Sequence, residues 1–299
     1  MVRTEYPFPM FVYPTLRCNF SCSYCFTWSG PSESPRSFIL DHWNELITAC
    51  GAVRVPEIRI SGGEPLLIDD IEQRCRFIVE RGIRYTLLTN GSLLGRHLGW
   101  LSAQPPATLW ISYHREFASV AGFARQVTRA ADSLPSVGVH VFSCDVETNA
   151  ELVDRAILAG AKRIKILSLT PIGRCNESGK TGTWPRNLIE EMTARWKGLK
   201  NEKFEVRVEA PVFGDFATGE NTCVLRERPL LSIDHDGSVY PCCVTLGSRA
   251  TAIGSLQDNA LETIVRQAKS PSSLLPCHEL LPSIGIERAS CPLRLVTLS

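Results

Sequence analysis

Several things are scarce or missing in this sequence of 299 residues. Methionine occurs 3 times, and charge of one sign is almost cancelled, with 32 Lys and Arg against 31 Asp and Glu for a net charge of +1. That balance offers no basic field to hold a nucleic-acid backbone, so polyanion binding has no support. No apolar stretch of about 18 residues runs uninterrupted, which leaves no candidate for a bilayer-spanning helix. The first residues, MVRTEYPFPMFVYPTLRC, lack the basic start, apolar run and small-residue cleavage site of a secretory signal. Internal repeats and low-complexity segments are absent as well. With 44% hydrophobic and 21% charged residues, the chain reads as an ordinary globular protein of a cytoplasmic, reducing compartment.

Cysteine, by contrast, is abundant, at 12 residues. Disulfide-dense proteins are usually small secreted domains with too little core, and a chain of this length can bury a large one without staples. Clustered thiols in a reducing compartment are more often metal ligands or catalytic groups. Cys18, Cys22 and Cys25 form one cluster, and Cys223, Cys242, Cys243, Cys277 and Cys291 fall in the last quarter. Cys50, Cys75, Cys144 and Cys175 stand alone. Cys50 and Cys75 sit in helical patterns and read as small buried hydrophobes.

The hydrophobic pattern alternates between two periods. Runs rich in β-branched and aromatic residues occur at Met10 to Thr15, Glu57 to Ser61, Tyr85 to Thr89, Thr108 to Tyr113, Val137 to Ser143 and Arg163 to Leu169. Helical patterns lie between them, at Asp41 to Cys50, Asp69 to Arg81, Leu93 to Ser102, Glu116 to Leu134 and Asn149 to Leu158, and another follows Pro185. Asp41, Asp69 and Asn149 are the expected caps, and Gly82 and Gly160 the expected stops. Six strands alternating with six helices predict an α/β fold with a parallel sheet, either open or an incomplete barrel. The segment from Gly173 to Pro185, GRCNESGKTGTWP, is a glycine-rich polar loop. After about Val206 the text turns to short strands and one amphipathic helix from about Leu256 to Ala268. Residues 1–205 are therefore expected to form a core domain, and 206–299 a small α+β domain.

The first cluster, RCNFSCSYCF, spaces its thiols C-x3-C-x2-C immediately after the first strand. Three thiolates from so short a loop can converge on one metal centre and leave a coordination position open, which suits an iron–sulfur cluster with an exogenous ligand. A structural zinc knuckle is the plainer alternative, and it would want a fourth Cys or His nearby.

With Tyr24 before the last cysteine and Phe26 after it, this motif resembles that of radical S-adenosylmethionine (SAM) enzymes. The resemblance implies that Cys18, Cys22 and Cys25 hold a [4Fe–4S] cluster whose fourth iron is chelated by the amino and carboxylate groups of SAM. One electron then cleaves SAM to a 5′-deoxyadenosyl radical that abstracts a substrate hydrogen. Further text along residues 10 to 175 is similar to the family's. In ISGGEP, Gly62, Gly63, Glu64 and Pro65 match the turn that approaches the SAM methionine. Thr89 and Asn90 of LLTNG fall near the cofactor rim, Ser112 of ISYHRE takes the place of a SAM-contacting polar residue, and Pro171 and Gly173 of TPIGR resemble the segment closing the adenine side. All lie at C-terminal ends of expected strands, where parallel α/β folds build sites. The implied fold is a partial (β/α)6 barrel.

The C-terminal cysteines resemble the SPASM or twitch extension that carries auxiliary [4Fe–4S] clusters. Cys223, Gly237 and Cys242 are spaced C-x13-G-x4-C, and a hairpin turn at Asp236 and Gly237 would bring the two thiols together. A full SPASM extension has a denser final set, C-x2-C-x5-C-x3-C, whereas this chain offers Cys277 and Cys291. Cys223, Cys242, Cys277 and Cys291 suffice for one auxiliary cluster, the twitch form. Cys243, next to Cys242 on an expected strand, would point to the other face. It remains a possible replacement ligand, and a three-cysteine cluster with an open iron also stays in view.

Neither motif set names a substrate. An auxiliary cluster suits a net two-electron oxidation, because it can accept the electron that a substrate radical must lose. Peptide modifiers of this family often begin with a peptide-binding domain, and here Cys18 lies almost at the start. The expectation is thus an oxidoreductase acting on a small molecule such as a sugar or aminocyclitol, with a flavodoxin or ferredoxin as electron donor and no nucleic-acid or membrane partner. A peptide or protein maturase forging thioether or carbon–carbon crosslinks is the alternative. His114 is a candidate general base, and Arg174 a candidate for holding SAM or another anion. Cys144 and Cys175 are candidate hydrogen donors, which would make the enzyme a redox-neutral epimerase. GGEP and TNG count against a mere iron–sulfur carrier.

Overall fold

The computed structural model describes residues 4–142, 146–167, 169, 173–177, 191, 194, 204–209, 230–246 and 252–268. The chain divides into two compact units, one of Met1–Ser21, Thr27–Leu87 and Thr222–Arg288, the other of Cys22–Phe26, Leu88–Asn221 and Ala289–Ser299.

In the first unit, β1 (Met10–Val12) pairs in parallel with β2 (Glu57–Ile60), in the register Met10 to Ile58 and Val12 to Ile60. Met10, Val12, Ile58 and Ile60 are fully buried, because alternate residues of a strand share one face and these four share the same one. β2 continues in parallel to β3 (Arg84–Thr89). Between these strands lie α1 (Phe38–Asp41), α2 (Trp43–Ala52) and α3 (Ile71–Glu80). Burial pushes the Cys50 thiol on α2 up to about 12, and its Sγ lies 3.9 Å from Met10 Sδ. Cys75 on α3 is fully buried too, so both behave as the inert small hydrophobes expected. The caps differ from expectation. Asp41 closes α1, which is capped instead by the Ser37 hydroxyl accepting from the Leu40 N–H at 3.1 Å. α3 starts after Asp70 rather than Asp69.

The C-terminal strands join this unit's sheet. β8 (Ser232–Ile233) pairs in parallel with β1 on the side opposite β2, then turns through Asp236 and Gly237 into antiparallel β9 (Ser238–Tyr240), followed by antiparallel β10 (Gly254–Ser255). The helix expected from Leu256 is α8 (Leu261–Ala268), with Leu256 in the turn before it. Its apolar face, Leu261, Ile264, Val265 and Ala268, is buried, and α8 packs on α2.

In the second unit, β4 (Thr108–Tyr113), β5 (Val137–Phe142), β6 (Arg163–Leu167) and β7 (Glu205–Glu209) run parallel in that order. α4 (Leu94–Ala103), α5 (Val120–Ser133) and α6 (Val146–Leu158) accompany them. Asn149 lies inside α6 rather than capping it. Leu109, Ile111, Val137, Val139, Val141, Ile164 and Ile166 make a buried face, where Tyr113 meets Phe123 of α5 edge-on at 5.1 Å. The opposite face carries polar and aromatic residues at matched positions: Trp110 beside Gly138, Ser112 beside His140, and His140 beside Lys165. Trp110 stacks on His140 at 4.4 Å, and Lys165 Nζ lies 5.2 Å from the Trp110 ring centre. β7, in the text read as the start of a second domain, is a further parallel strand whose EVRVE alternation is that of a sheet edge.

Burial, with Lys165 and His114 adding to it, pushes His140 down to about 3. The unfolded chain takes up a proton below ~6.5 that the folded chain refuses until far lower, so this group costs stability increasingly as pH falls through that window. At pH 5 the cost is on the order of 2 kcal/mol. His140→Phe, which keeps an aromatic ring against Trp110, is expected to lose less stability between pH 7 and pH 5 than the parent in urea denaturation. Equal pH slopes for the two would refute this.

Candidate iron–sulfur and SAM site

In the first unit, the cysteine loop is closed at its base. Arg17 bridges Gly30, the Cys18 N–H donates to Gly30 O at 3.0 Å, and the Gly30 N–H donates to Leu16 O at 3.1 Å. The turn after β2 grips the same base: the Gly63 N–H donates to Thr15 O at 2.8 Å and the Glu64 N–H to Arg17 O at 2.9 Å. A Cβ on Gly63 would sit 2.1 Å from Arg17 O. Glycine is therefore required here for close approach of two backbones, a constraint added to the expected approach to a ligand. Glu64 is fully buried, and its carboxylate accepts from the Leu66 N–H at 3.1 Å, capping the short 3-10 turn Pro65–Leu67. The Phe20 N–H points at Cys18 Sγ at 3.4 Å.

Cys22–Phe26 packs within the second unit, where four groups hold it. Arg174, at the start of α7 (Arg174–Glu177), donates from Nε to Cys22 O at 2.9 Å and from its backbone N–H to Cys25 O at 3.0 Å. Gly173 lies against the same stretch at φ +60°, and a Cβ there would meet Cys25 O and Phe26 O, each at 2.5 Å. Glu116, which sequence reasoning missed, accepts from the Ser23 N–H at 2.9 Å and from the Ser23 hydroxyl. His114 Nδ1 lies 3.4 Å from Cys22 Sγ and 3.1 Å from Tyr24 Oη, its ring stacked against Tyr24 and Phe142. Burial pushes His114 down to about 4, against the pull of Glu116, so the ring is neutral at pH 7. Of the expected groups, Arg174 is thus spent on the backbone of the cysteine loop, and His114 faces a cysteine.

Thr89 and Asn90 shape the turn after β3. The Thr89 hydroxyl accepts from the Gly91 N–H at 3.0 Å, and Asn90 Oδ1 accepts from the Ser92 N–H at 2.9 Å. Ser112 is half-buried on the polar face of β4. Cys175 is buried in α7. In the C-terminal set, Cys242 is 2% exposed and Cys243 half-buried. They fall past the end of β9, at the start of a 3-10 turn, Cys243–Thr245, so strand alternation does not separate them. Cys144, Pro171, Cys223, Cys277 and Cys291 lie outside the described residues.

The donor set fits an iron–sulfur cluster. None of Cys18, Cys22 and Cys25 is in a disulfide, the Phe20 N–H is aimed at the Cys18 sulfur, and the His114 ring lies against the Cys22 sulfur. Together with the glycine turn and the parallel strands, these thiols have the chemistry of an iron–sulfur protein. The chain matches the radical SAM superfamily over residues 12–109 and the SPASM iron–sulfur cluster-binding domain over residues 223–277. SAM, a [4Fe–4S] cluster and auxiliary iron–sulfur binding come with these two domains. The architecture is the partial (β/α)6 barrel with a C-terminal SPASM-type domain.

The chain is 23% identical to a PqqA peptide cyclase of Rhodopseudomonas palustris, over 79% of this chain and 67% of the cyclase. It is 28% identical to an AdoMet-dependent heme synthase of Methanosarcina barkeri, over 91% of this chain and 86% of the synthase. Among solved structures it shares the fold of Streptococcus suis SuiB bound to S-adenosylmethionine, with a TM-score of 0.67 and 18% identity. That match covers 87% of this chain and 65% of SuiB, so the chain spans somewhat under two thirds of that protein. No helix among the described residues is long and apolar enough to cross a membrane.

Gly173→Ala puts a methyl group into two backbone carbonyls of the cysteine loop. It is expected to lower the iron loaded on reconstitution, at most by the half that one of two clusters contributes, with far-ultraviolet circular dichroism unchanged. Retention of full iron would show that the loop yields without loss.

Proposed function

We propose that this protein is a peptide-modifying radical SAM enzyme that joins two positions of a peptide by net two-electron oxidation. The observation that carries this reading is the similarity to PqqA peptide cyclases, at 23% identity over 79% of the chain and, for a Methylobacterium nodulans protein, 26% over 84%. It favours a peptide over the small sugar-like substrate expected from the sequence. When bound, SAM on its cluster supplies a one-electron reductive cleavage that removes a hydrogen atom from the substrate. In this proposal Gly62, Gly63, Glu64 and Pro65 form the turn against which the methionine of SAM lies. Thr89, Asn90 and Ser112 line the rest of the cofactor at the strand ends, with Tyr24 and Phe26 beside the adenine. Cys223, Cys242, Cys277 and Cys291 would hold one auxiliary cluster, which would supply an acceptor for the electron the substrate loses, and a flavodoxin or ferredoxin would supply the first electron.

A second reading keeps the small-molecule oxidation. The heme synthase matches over 86% of its own length and at higher identity.

Two four-iron clusters give about eight irons per chain after anaerobic reconstitution. Joint replacement of Cys18, Cys22 and Cys25 by Ala is expected to leave about half of that iron and to abolish 5′-deoxyadenosine formation. Persisting SAM cleavage would overturn the site assignment. To separate the two readings, the protein is co-expressed with any short peptide encoded beside its gene, and the peptide is weighed by mass spectrometry. Loss of two hydrogens from the peptide supports the maturase. An unchanged peptide together with turnover of a porphyrin supports the second reading.

A further inference from the structure

We propose that His114 donates a hydrogen bond from Nδ1 to the Cys22 thiolate and so raises the reduction potential of the SAM-binding cluster. His114 is then a positioning residue of the cluster. The inference rests on Cys22 being a cluster ligand and goes beyond that assignment to the residue that tunes it.

The geometry brings one ring nitrogen to two partners, Cys22 Sγ at 3.4 Å and Tyr24 Oη at 3.1 Å. A single nitrogen carries either a proton or a lone pair, so it cannot serve two donors and an acceptor alike. The ligand state of Cys22 decides between them. As a metal-bound thiolate, Cys22 has no proton and can only accept. With the proton on Nδ1 the ring donates to the sulfur and has the Tyr24 oxygen as its second acceptor; with the proton on Nε2 it would only accept from the Tyr24 hydroxyl and leave the charged sulfur without this donor. The ring has little freedom to turn away. It lies in a three-ring cluster, 5.9 Å and 18° from Tyr24 and 5.5 Å and 26° from Phe142, whose own rings are 6.0 Å apart. The turn that follows, where the N–H groups of Phe117 and Ala118 both donate to His114 O, anchors its backbone.

Cys22 is 7% exposed, so its sulfur has little water to share its charge. A fixed N–H donor therefore counts for more there than it would at the surface. Reduction adds an electron, part of which resides on the thiolates. A donor to sulfur stabilises the reduced cluster more than the oxidised one, and the potential moves up. A corresponding donor reaches Cys18 from the Phe20 backbone N–H. Of these two contacts, the one from His114 is a side chain's and can be removed by substitution.

The experiment is a redox titration of the whole reconstituted protein by electron paramagnetic resonance, following the signal that changes when SAM is added. His114→Leu, which removes the donor, is expected to shift the midpoint to more negative potential at undiminished iron content. His114→Gln, which keeps an N–H donor, is expected to recover part of the shift, and Tyr24→Phe to stay near the parent. An unshifted midpoint in an iron-replete His114→Leu protein overturns the proposal. A parent protein with no SAM-responsive signal instead overturns the assignment of Cys22 as a ligand. A second measurement needs no variant: in the reduced parent protein labelled with nitrogen-15 histidine, electron–nuclear double resonance should show a weak nitrogen coupling and an exchangeable proton. Absence of both overturns the hydrogen bond even where His114→Leu fails to load iron.

Discussion

Everything functional in this protein depends on holding the backbone of one short polar loop. Residues 18–25 have no regular structure of their own, and in the proposed site three of their thiols present one geometry to iron. The fold achieves this by satisfying the loop's carbonyl groups from distant parts of the chain. At the base, Thr15 O and Arg17 O accept N–H groups from the glycine turn after β2. Farther along, Cys22 O and Cys25 O accept from Arg174. Buried backbone groups that find partners of this kind are fixed in place, and those left unsatisfied cost free energy comparable to a lost hydrogen bond.

The two glycines follow from the same constraint. Gly63 and Gly173 each touch the loop through main-chain atoms at distances a Cβ would violate. The charged groups follow it too. Arg174 and Glu116, one basic and one acidic, are both engaged with the loop, so neither has to be assigned to substrate to explain its place.

Much of this was legible in the sequence because it is local. The cysteine spacing, the GGEP turn, the six strands and the hairpin turn at Asp236 and Gly237 are each written in consecutive residues. The three expected helix caps failed for a local reason as well: Ser37 competes with Asp41, and the helices begin a few residues from the polar side chains that looked suitable. The clamps could not be read. Ser23 meets Glu116 across 93 positions and Cys22 meets Arg174 across 152, and no periodicity links residues so far apart. β7 was absorbed into the second domain because its alternation of charged residues with valine is that of an edge strand, which by itself says nothing of its neighbour. The choice between Cys242 and Cys243 rested on strand alternation, and the 3-10 turn at Cys243–Thr245 removes that premise.

The central claim is that Cys18, Cys22 and Cys25 hold a cluster with one iron open to SAM. The most direct measurement is electron–nuclear double resonance on the reduced protein with SAM labelled at the methionine amino nitrogen. A nitrogen coupling strong enough for direct iron ligation, absent when Cys22 is replaced by Ala, is the predicted result. Intact clusters that show no such coupling in the presence of saturating SAM would contradict the account.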